Sequence, residues 1–199
     1  MHFDTFPSNL QGPIINAIVN LPKGFTSVVP FTMASKNYLL LYNKSTGAVR
    51  FDRINSAGSG STNVFSGTWG SGWTDFTFYY IGGNPYLVAY NASTGLTHYD
   101  QISSSLNGSL GLTSFTGTKN MKFANVAFGG PGHVLTYGST GSGSILRMSL
   151  DGKDAGVEWG GSFLPNATSA ISFIQDGKST ELMYDAASGK VRAYQLNLF

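Results

Sequence analysis

The stretch Tyr38-Leu-Leu-Leu-Tyr42-Asn-Lys-Ser-Thr-Gly47 decides the fold, because the chain writes it again as Tyr86-Leu-Val-Ala-Tyr90-Asn-Ala-Ser-Thr-Gly95. Two looser copies follow, His133-Val-Leu-Thr-Tyr137-Gly-Ser-Thr-Gly141 and Glu181-Leu-Met-Tyr184-Asp-Ala-Ala-Ser-Gly189. The anchoring tyrosines Tyr42, Tyr90, Tyr137 and Tyr184 are spaced by 48, 47 and 47 residues, and self-similarity at such a period marks a repeat architecture. An apolar, aromatic run closed by Asn/Asp-x-Ser-Thr-Gly reads as a strand followed by a tight hairpin turn. Glycine supplies the positive φ that such a turn requires.

Outward from each copy, the unit reads as four short strands. The first strand covers Phe25–Phe31, Trp73–Tyr79, Phe123–Phe128 and Ser169–Phe173 in successive units, and the second ends at the anchoring tyrosine. The third covers Ala48–Ile54, Leu96–Ile102, Ser144–Leu150 and Lys190–Leu196. The fourth covers Asn63–Trp69, Leu112–Thr118 and Gly156–Gly160, and the last unit stops at Phe199 without one. The segment Ile14-Ile-Asn-Ala-Ile-Val-Asn20 stands before Phe25 as Val64–Trp69 stands before Trp73. The expectation is an all-β, four-bladed β-propeller with four strands per blade, the N-terminal strand completing the last blade and closing the ring. One domain then spans 1–199, with repeats near 22–69, 70–118, 119–163 and 164–199 plus 14–21. The four tyrosines should be buried, and Phe31, Phe78, Phe128 and Phe173 should pack between blades. The rival architectures are an open array, a β-sandwich, and a ring of more blades made by two chains.

Composition narrows the partners. Charged residues are 11% of the chain, against about 25% in an average soluble domain. The formal net charge is +2 and the basic residues are scattered singly, which excludes a nucleic-acid footprint. There is no cysteine, so neither a disulfide framework nor thiolate chemistry arises. No apolar run is long enough for a membrane span, and the first residues carry no signal pattern. Location is left open between secreted and cytoplasmic.

The unit Gly-Trp/Phe-Thr, an apolar strand, then Tyr-Leu-Leu-x-Tyr-Asn-x-Ser-Thr-Gly resembles the repeats of lectin-like β-propellers of bacteria and fungi. It is also loosely similar to integrin-type repeats. The resemblance covers nearly the whole chain and implies a propeller that binds sugars. The calcium loop of integrin-type repeats is missing, since Asp151-Gly-Lys-Asp154 is too sparse to be one.

His2, His98 and His133 lie in different units with no metal-ligand spacing, so no metal and no cofactor are expected. The Ser/Gly runs 56–62 and 138–144 lack the Gly-Lys-Ser/Thr ending of a phosphate cradle and read as loops. The sequons at Asn43, Asn91, Asn107 and Asn166 read as turn chemistry. Asp52 and Asp100 hold equivalent third-strand places, with Met148 and Tyr194 approximately there in the other units. As a pair on neighbouring blades they stand too far apart for glycoside hydrolysis. Trp73 shares its place with Phe25 and Phe123 and reads as blade core, whereas Trp69 answers to Leu21 and to Thr118 or Lys119. A tryptophan not required by the repeat, beside Asn and hydroxyls, suits the apolar face of a sugar. The expected ligand site is therefore Trp69, Trp73, Asn91 and Asp100, with a degenerate set at Asn43 and Asp52. The expected function is a lectin for neutral glycans, with no catalytic residue. The alternatives are a protein-interaction scaffold or an enzyme working at the mouth of a central channel. A homo-oligomer is compatible with this reading.

Overall fold

The computed structural model describes residues 2–5, 14–18, 21–55, 60–127 and 132–197, and every strand or helix among them is a β-strand. Strands β1 (His2–Thr5) and β2 (Ile14–Ile18) pair with each other. The first blade is β3 (Ser27–Met33), β4 (Lys36–Tyr42), β5 (Ala48–Ile54) and β6 (Ser61–Thr68), antiparallel in that order. The second is β7 (Asp75–Ile81), β8 (Asn84–Asn91), β9 (Leu96–Ile102) and β10 (Ser109–Thr116). The third is β11 (Lys122–Val126), β12 (His133–Tyr137), β13 (Ser142–Met148) and β14 (Asp154–Ser162). The fourth is β15 (Ser169–Gln175), β16 (Lys178–Asp185) and β17 (Lys190–Leu196). The fold is all-β, a four-bladed β-propeller. Its residues form two compact units, Met1–Gly72 with Ser103–Gly108, and Trp73–Ile102 with Ser109–Phe199. The first unit holds the hairpin and the first blade; the second holds the other three blades.

One device repeats around the anchoring tyrosines. Asn43 Oδ1 accepts from the amides of Ser45 and Thr46 at 2.9 and 3.0 Å, and Asn91 Oδ1 accepts from Ser93 and Thr94 at 3.1 and 3.3 Å. Asp185 does the same for Ala187 and Ser188. These Asx turns deliver Gly47, Gly95 and Gly189 at φ of 75°, 79° and 71°. The glycine carbonyl then takes the amide that ends its own blade's fourth strand. Trp69 N donates to Gly47 O at 2.9 Å, Gly117 N to Gly95 O at 3.0 Å, and in the third blade Phe163 N to Gly141 O at 2.7 Å. A Cβ on Gly47 or Gly95 would overlap the carbonyl oxygen of Trp69 or Gly117. Next door, Tyr42 Oη donates to Gly70 O and Tyr90 Oη to Thr118 O, both at 2.7 Å. Thr26, Thr74 and Thr168 hold the carbonyl of the anchoring tyrosine in three blades, at 3.2, 3.1 and 3.1 Å.

Tyr42, Tyr90, Tyr137, Phe31 and Phe78 are buried as expected. The fourth blade corrects the rest. Among the described residues it holds three strands, and residues 14–18, part of the 14–21 segment expected to complete it, pair with His2–Thr5. Tyr184 is 40% and Phe173 38% exposed, because they share a face with Ile171 and Val191 that stays largely open. Phe128 lies outside the described residues. A further correction is one of register: the third turn is one residue shorter, so Leu146 rather than Met148 takes the place of Asp52 and Asp100.

The lock implies a graded response to glycine replacement. In urea unfolding, Gly95→Ala should cost about 3 kcal/mol or more, as positive φ and overlap with the backbone add together. Gly189→Ala, which carries the positive φ without the overlap, should cost about 1–2 kcal/mol. Likewise Tyr90→Ala should cost about 3–5 kcal/mol and Tyr184→Ala much less.

Candidate functional site

In the second unit the first strands of three blades, β7, β11 and β15, run side by side without pairing into a sheet. Side chains make the connections instead. Thr77 Oγ1 donates to Phe123 O at 3.0 Å, and Asp75 Oδ2 accepts from Phe123 N at 3.0 Å. Lys122 Nζ donates to Thr168 O at 2.7 Å, and Ser172 Oγ accepts from Ala127 N at 2.6 Å. Where these strands begin, a cleft of about 520 Å³ opens, lined by Asp75, Lys122, Tyr137, Asn120, Thr168 and Ser169.

The strand register shows what is unusual about this cleft. The residue facing the anchoring tyrosine is Ser27, Asp75, Lys122 and Ser169 in successive blades. Two of the four are small hydroxyls; the other two are a carboxylate and an ammonium, and both stand in the cleft. Burial raises the Asp75 pKa, opposed by the Phe123 and Phe76 amides and by the Lys122 charge. Tyr137 is pushed up to about 12, first by burial and then by the charges of Asp75 and Glu181. Tyr137 therefore feels both carboxyl groups.

Glu181 sits on β16 with Ser172 and Tyr194 as its cross-strand neighbours. It is fully buried, and neither carboxyl oxygen makes a hydrogen bond among the described residues. Burial pushes its pKa up to about 8; Ser172 stands near enough to oppose that shift without a well-directed bond. Its proton is thus held at neutral pH.

The residues singled out from sequence are placed as follows. Asn43 and Asn91 build the Asx turns. Asp52 is fully buried, in an ion pair with Arg50 and accepting from Ser61 Oγ at 3.3 Å. Asp100 accepts from Ser109 Oγ at 3.0 Å; burial raises its pKa, and its Oδ1 is buried without a partner. Trp69 packs edge-on to Phe51 at 6.0 Å and Trp73, buried, edge-on to His98 at 4.8 Å. The Gly141 contact shows that Phe163 holds Trp69's repeat position in the third blade. Asn43, Asp52 and Trp69 belong to the first unit, and Trp73, Asn91 and Asp100 to the second. Sequence reading missed Asp75, Lys122 and Glu181. The signal for the first two was the charge at a repeat place otherwise held by serine.

Among the described residues no group of three or more His, Cys, Asp or Glu is placed to hold a metal, and no helix is long and apolar enough to cross a membrane.

No protein-family model and no curated protein matches the sequence. Solved structures do. An α-L-arabinofuranosidase of Clostridium thermocellum aligns with a TM-score of 0.61 at 11% identity, over 94% of this chain and 76% of that one. An exo-β-1,3-galactanase of Phanerochaete chrysosporium aligns at 0.62 and 12%, over 90% of this chain and 49% of that one. A bifunctional GH43–CE protein of Bacteroides eggerthii aligns at 0.53 and 12%, over 84% and 24%. At this identity the likeness establishes the fold. The expectations of a lectin and of a chain that is no enzyme are corrected here, because these similar propellers bear the names of glycosidases.

Glu181 gives a pH test. Its proton is held more tightly in the folded chain than at the ordinary value of 4.5, so stability is greatest at low pH and falls as pH rises towards about 8. Glu181→Gln should remove most of that fall, which is roughly 5 kcal/mol, and should melt higher than the parent at pH 8. Melting curves between pH 4 and pH 8.5 measure it; parallel curves for parent and variant would contradict the placement.

Proposed function

We propose that the protein is a glycoside hydrolase acting on a neutral glycan in the cleft at the start of β7, β11 and β15. The observation that carries this is the substitution of serine by Asp75 and Lys122 at equivalent repeat positions, both facing one cleft that Tyr137 also lines. Environments that push the proton affinities of two neighbouring groups apart assign acid and base. Asp75, kept nearer the ionised form by two amides and Lys122, takes the proton from the attacking water. Tyr137 gives its proton to the leaving glycosidic oxygen. Water and the glycoside thereby become a free sugar and an alcohol, and solvent in the cleft carries the Asp75 proton back to the tyrosinate, which restores both groups. The opposite charges of Asp75 and Lys122 leave the cleft near neutrality, and Asn120, Thr168 and Ser169 offer donors and acceptors to sugar hydroxyls. The named activities of the arabinofuranosidase and the galactanase support the substrate class, although this chain spans only about half the galactanase.

Chromogenic arabinofuranosides and galactosides test the reading. Asp75→Asn should lower kcat/KM by about 10²–10⁴-fold with little change in melting temperature. Lys122→Met removes the cation that holds the Asp75 proton affinity down, so the acidic limb of the pH–rate profile should move upward. A parent protein that hydrolyses none of the panel, or an Asp75→Asn variant that turns over normally, would refute it.

A further inference from the structure

Three blades put an aliphatic side chain at one place in the second strand. Leu39, Leu87 and Val134 stand there, opposite Asp52, Asp100 and Leu146 of the third strand, and all three are buried. The same register in the fourth blade gives Glu181, opposite Tyr194. The repeat places an apolar residue here, and this blade carries a fully buried carboxyl group instead.

Glu181 shares its face of β16 with Met183, which packs with Ala124, Leu135 and Ile145 of the third blade. That face is the joint between blades three and four. Within its own blade the neighbours of Glu181 are Ser172 on β15 and Tyr194 on β17. Both Glu181 oxygens and Tyr194 Oη are buried without a hydrogen bond among the described residues. The other ionisable groups on the joint are engaged elsewhere. On β12, His133 pairs with Glu158 at 2.6 Å, and Tyr137 turns towards the cleft. On β16, Asp185 caps its turn, and on β17 the exposed Arg192 lies over the Tyr194 ring at 5.2 Å. Lys122 is held by Thr168 O and Asp75 by Phe123 N. Burial and the Ser172 hydroxyl alone set how tightly Glu181 holds its proton.

An ionised carboxylate without a partner cannot remain in such an interior; either it keeps its proton or water reaches it. The joint is the path for that water. Each blade is held by continuous backbone ladders, whereas the joint is held by apolar packing and two bonds, Lys122 Nζ to Thr168 O and Ala127 N to Ser172 Oγ.

We infer that Glu181 is a proton-held latch: with its proton blades three and four stay closed on each other, and without it water enters the joint while each blade keeps its own ladder. This stands on the repeat register and on burial, and does not depend on the hydrolase reading. Thr168, Ser169 and Ala170 reach the cleft from the fourth blade, so opening the latch also shifts that wall.

The chain has no cysteine, so an introduced thiol reports alone. Met183→Cys places one in this joint, and Leu135→Cys repeats the measurement from the opposite wall. Val88→Cys places one between blades two and three, where Val134 holds the place of Glu181. Labelling rates, each divided by that of a free thiol at the same pH, read the access of water. Between pH 6 and pH 9 the Met183→Cys rate should rise about 100-fold, and at pH 9 it should exceed the Val88→Cys rate by about tenfold or more. Adding Glu181→Gln, or Glu181→Leu to restore the residue of the other blades, should remove the rise. Equal rates for the two joints at pH 9, or a rise that survives loss of the carboxyl group, would overturn the latch.

Discussion

The structure depends on a close approach between two pieces of backbone in each of the first three blades, the turn after the anchoring tyrosine and the end of the same blade's fourth strand. The hairpin turn must reach positive φ at its last residue, and the returning strand leaves no room there for a Cβ. The Asx acceptor, the threonine on the tyrosine carbonyl and the tyrosine hydroxyl on the following linker all converge on this junction. In the first three blades the sheet therefore closes on itself through polar backbone groups, while apolar side chains fill the core. That division explains why a chain with so few charges can repeat one motif without losing register.

How legible this was follows from the same junction. Tyr-Asn-x-Ser-Thr-Gly states the second strand, the turn and the third strand in one phrase, so those elements agree with the sequence to within a residue or two. The fourth strand is written less clearly, since contacts across the junction rather than its own composition place it. In the third blade it is the Gly141 contact that identifies Phe163 as the counterpart of Trp69. The N-terminal segment reads as a fourth strand in phase, yet phase alone does not name the partner that receives it. Glu181 was hidden for another reason. A glutamate in an alternating strand looks solvent-facing, and only the packing of the neighbouring blade puts it in the core.

The site became visible where the repeat fails. Positions that answer only to the fold take the same kind of residue in every blade, as the tyrosines and turn glycines do. Ser27, Asp75, Lys122 and Ser169 occupy one place and yet differ in charge, so the repeat itself does not demand the two charged residues. Asp52 teaches the opposite lesson. It is polar and recurs as Asp100, but its partners Arg50 and Ser61 use it within the blade.

The connections between β7, β11 and β15 have a consequence for how such a cleft diversifies. These strands are bridged by the reach of threonine, aspartate, lysine and serine side chains rather than by a shared ladder. A ladder would fix the spacing of its strands at the pitch of the peptide group, and any adjustment would move a whole register. Side-chain bridges set the separation by the length and flexibility of individual residues. The cleft can thus widen, narrow or change polarity by exchanging one bridge at a time, while the blades on either side keep their internal pairing. The shape of the cleft and the internal pairing of each blade are in this way placed under separate residues.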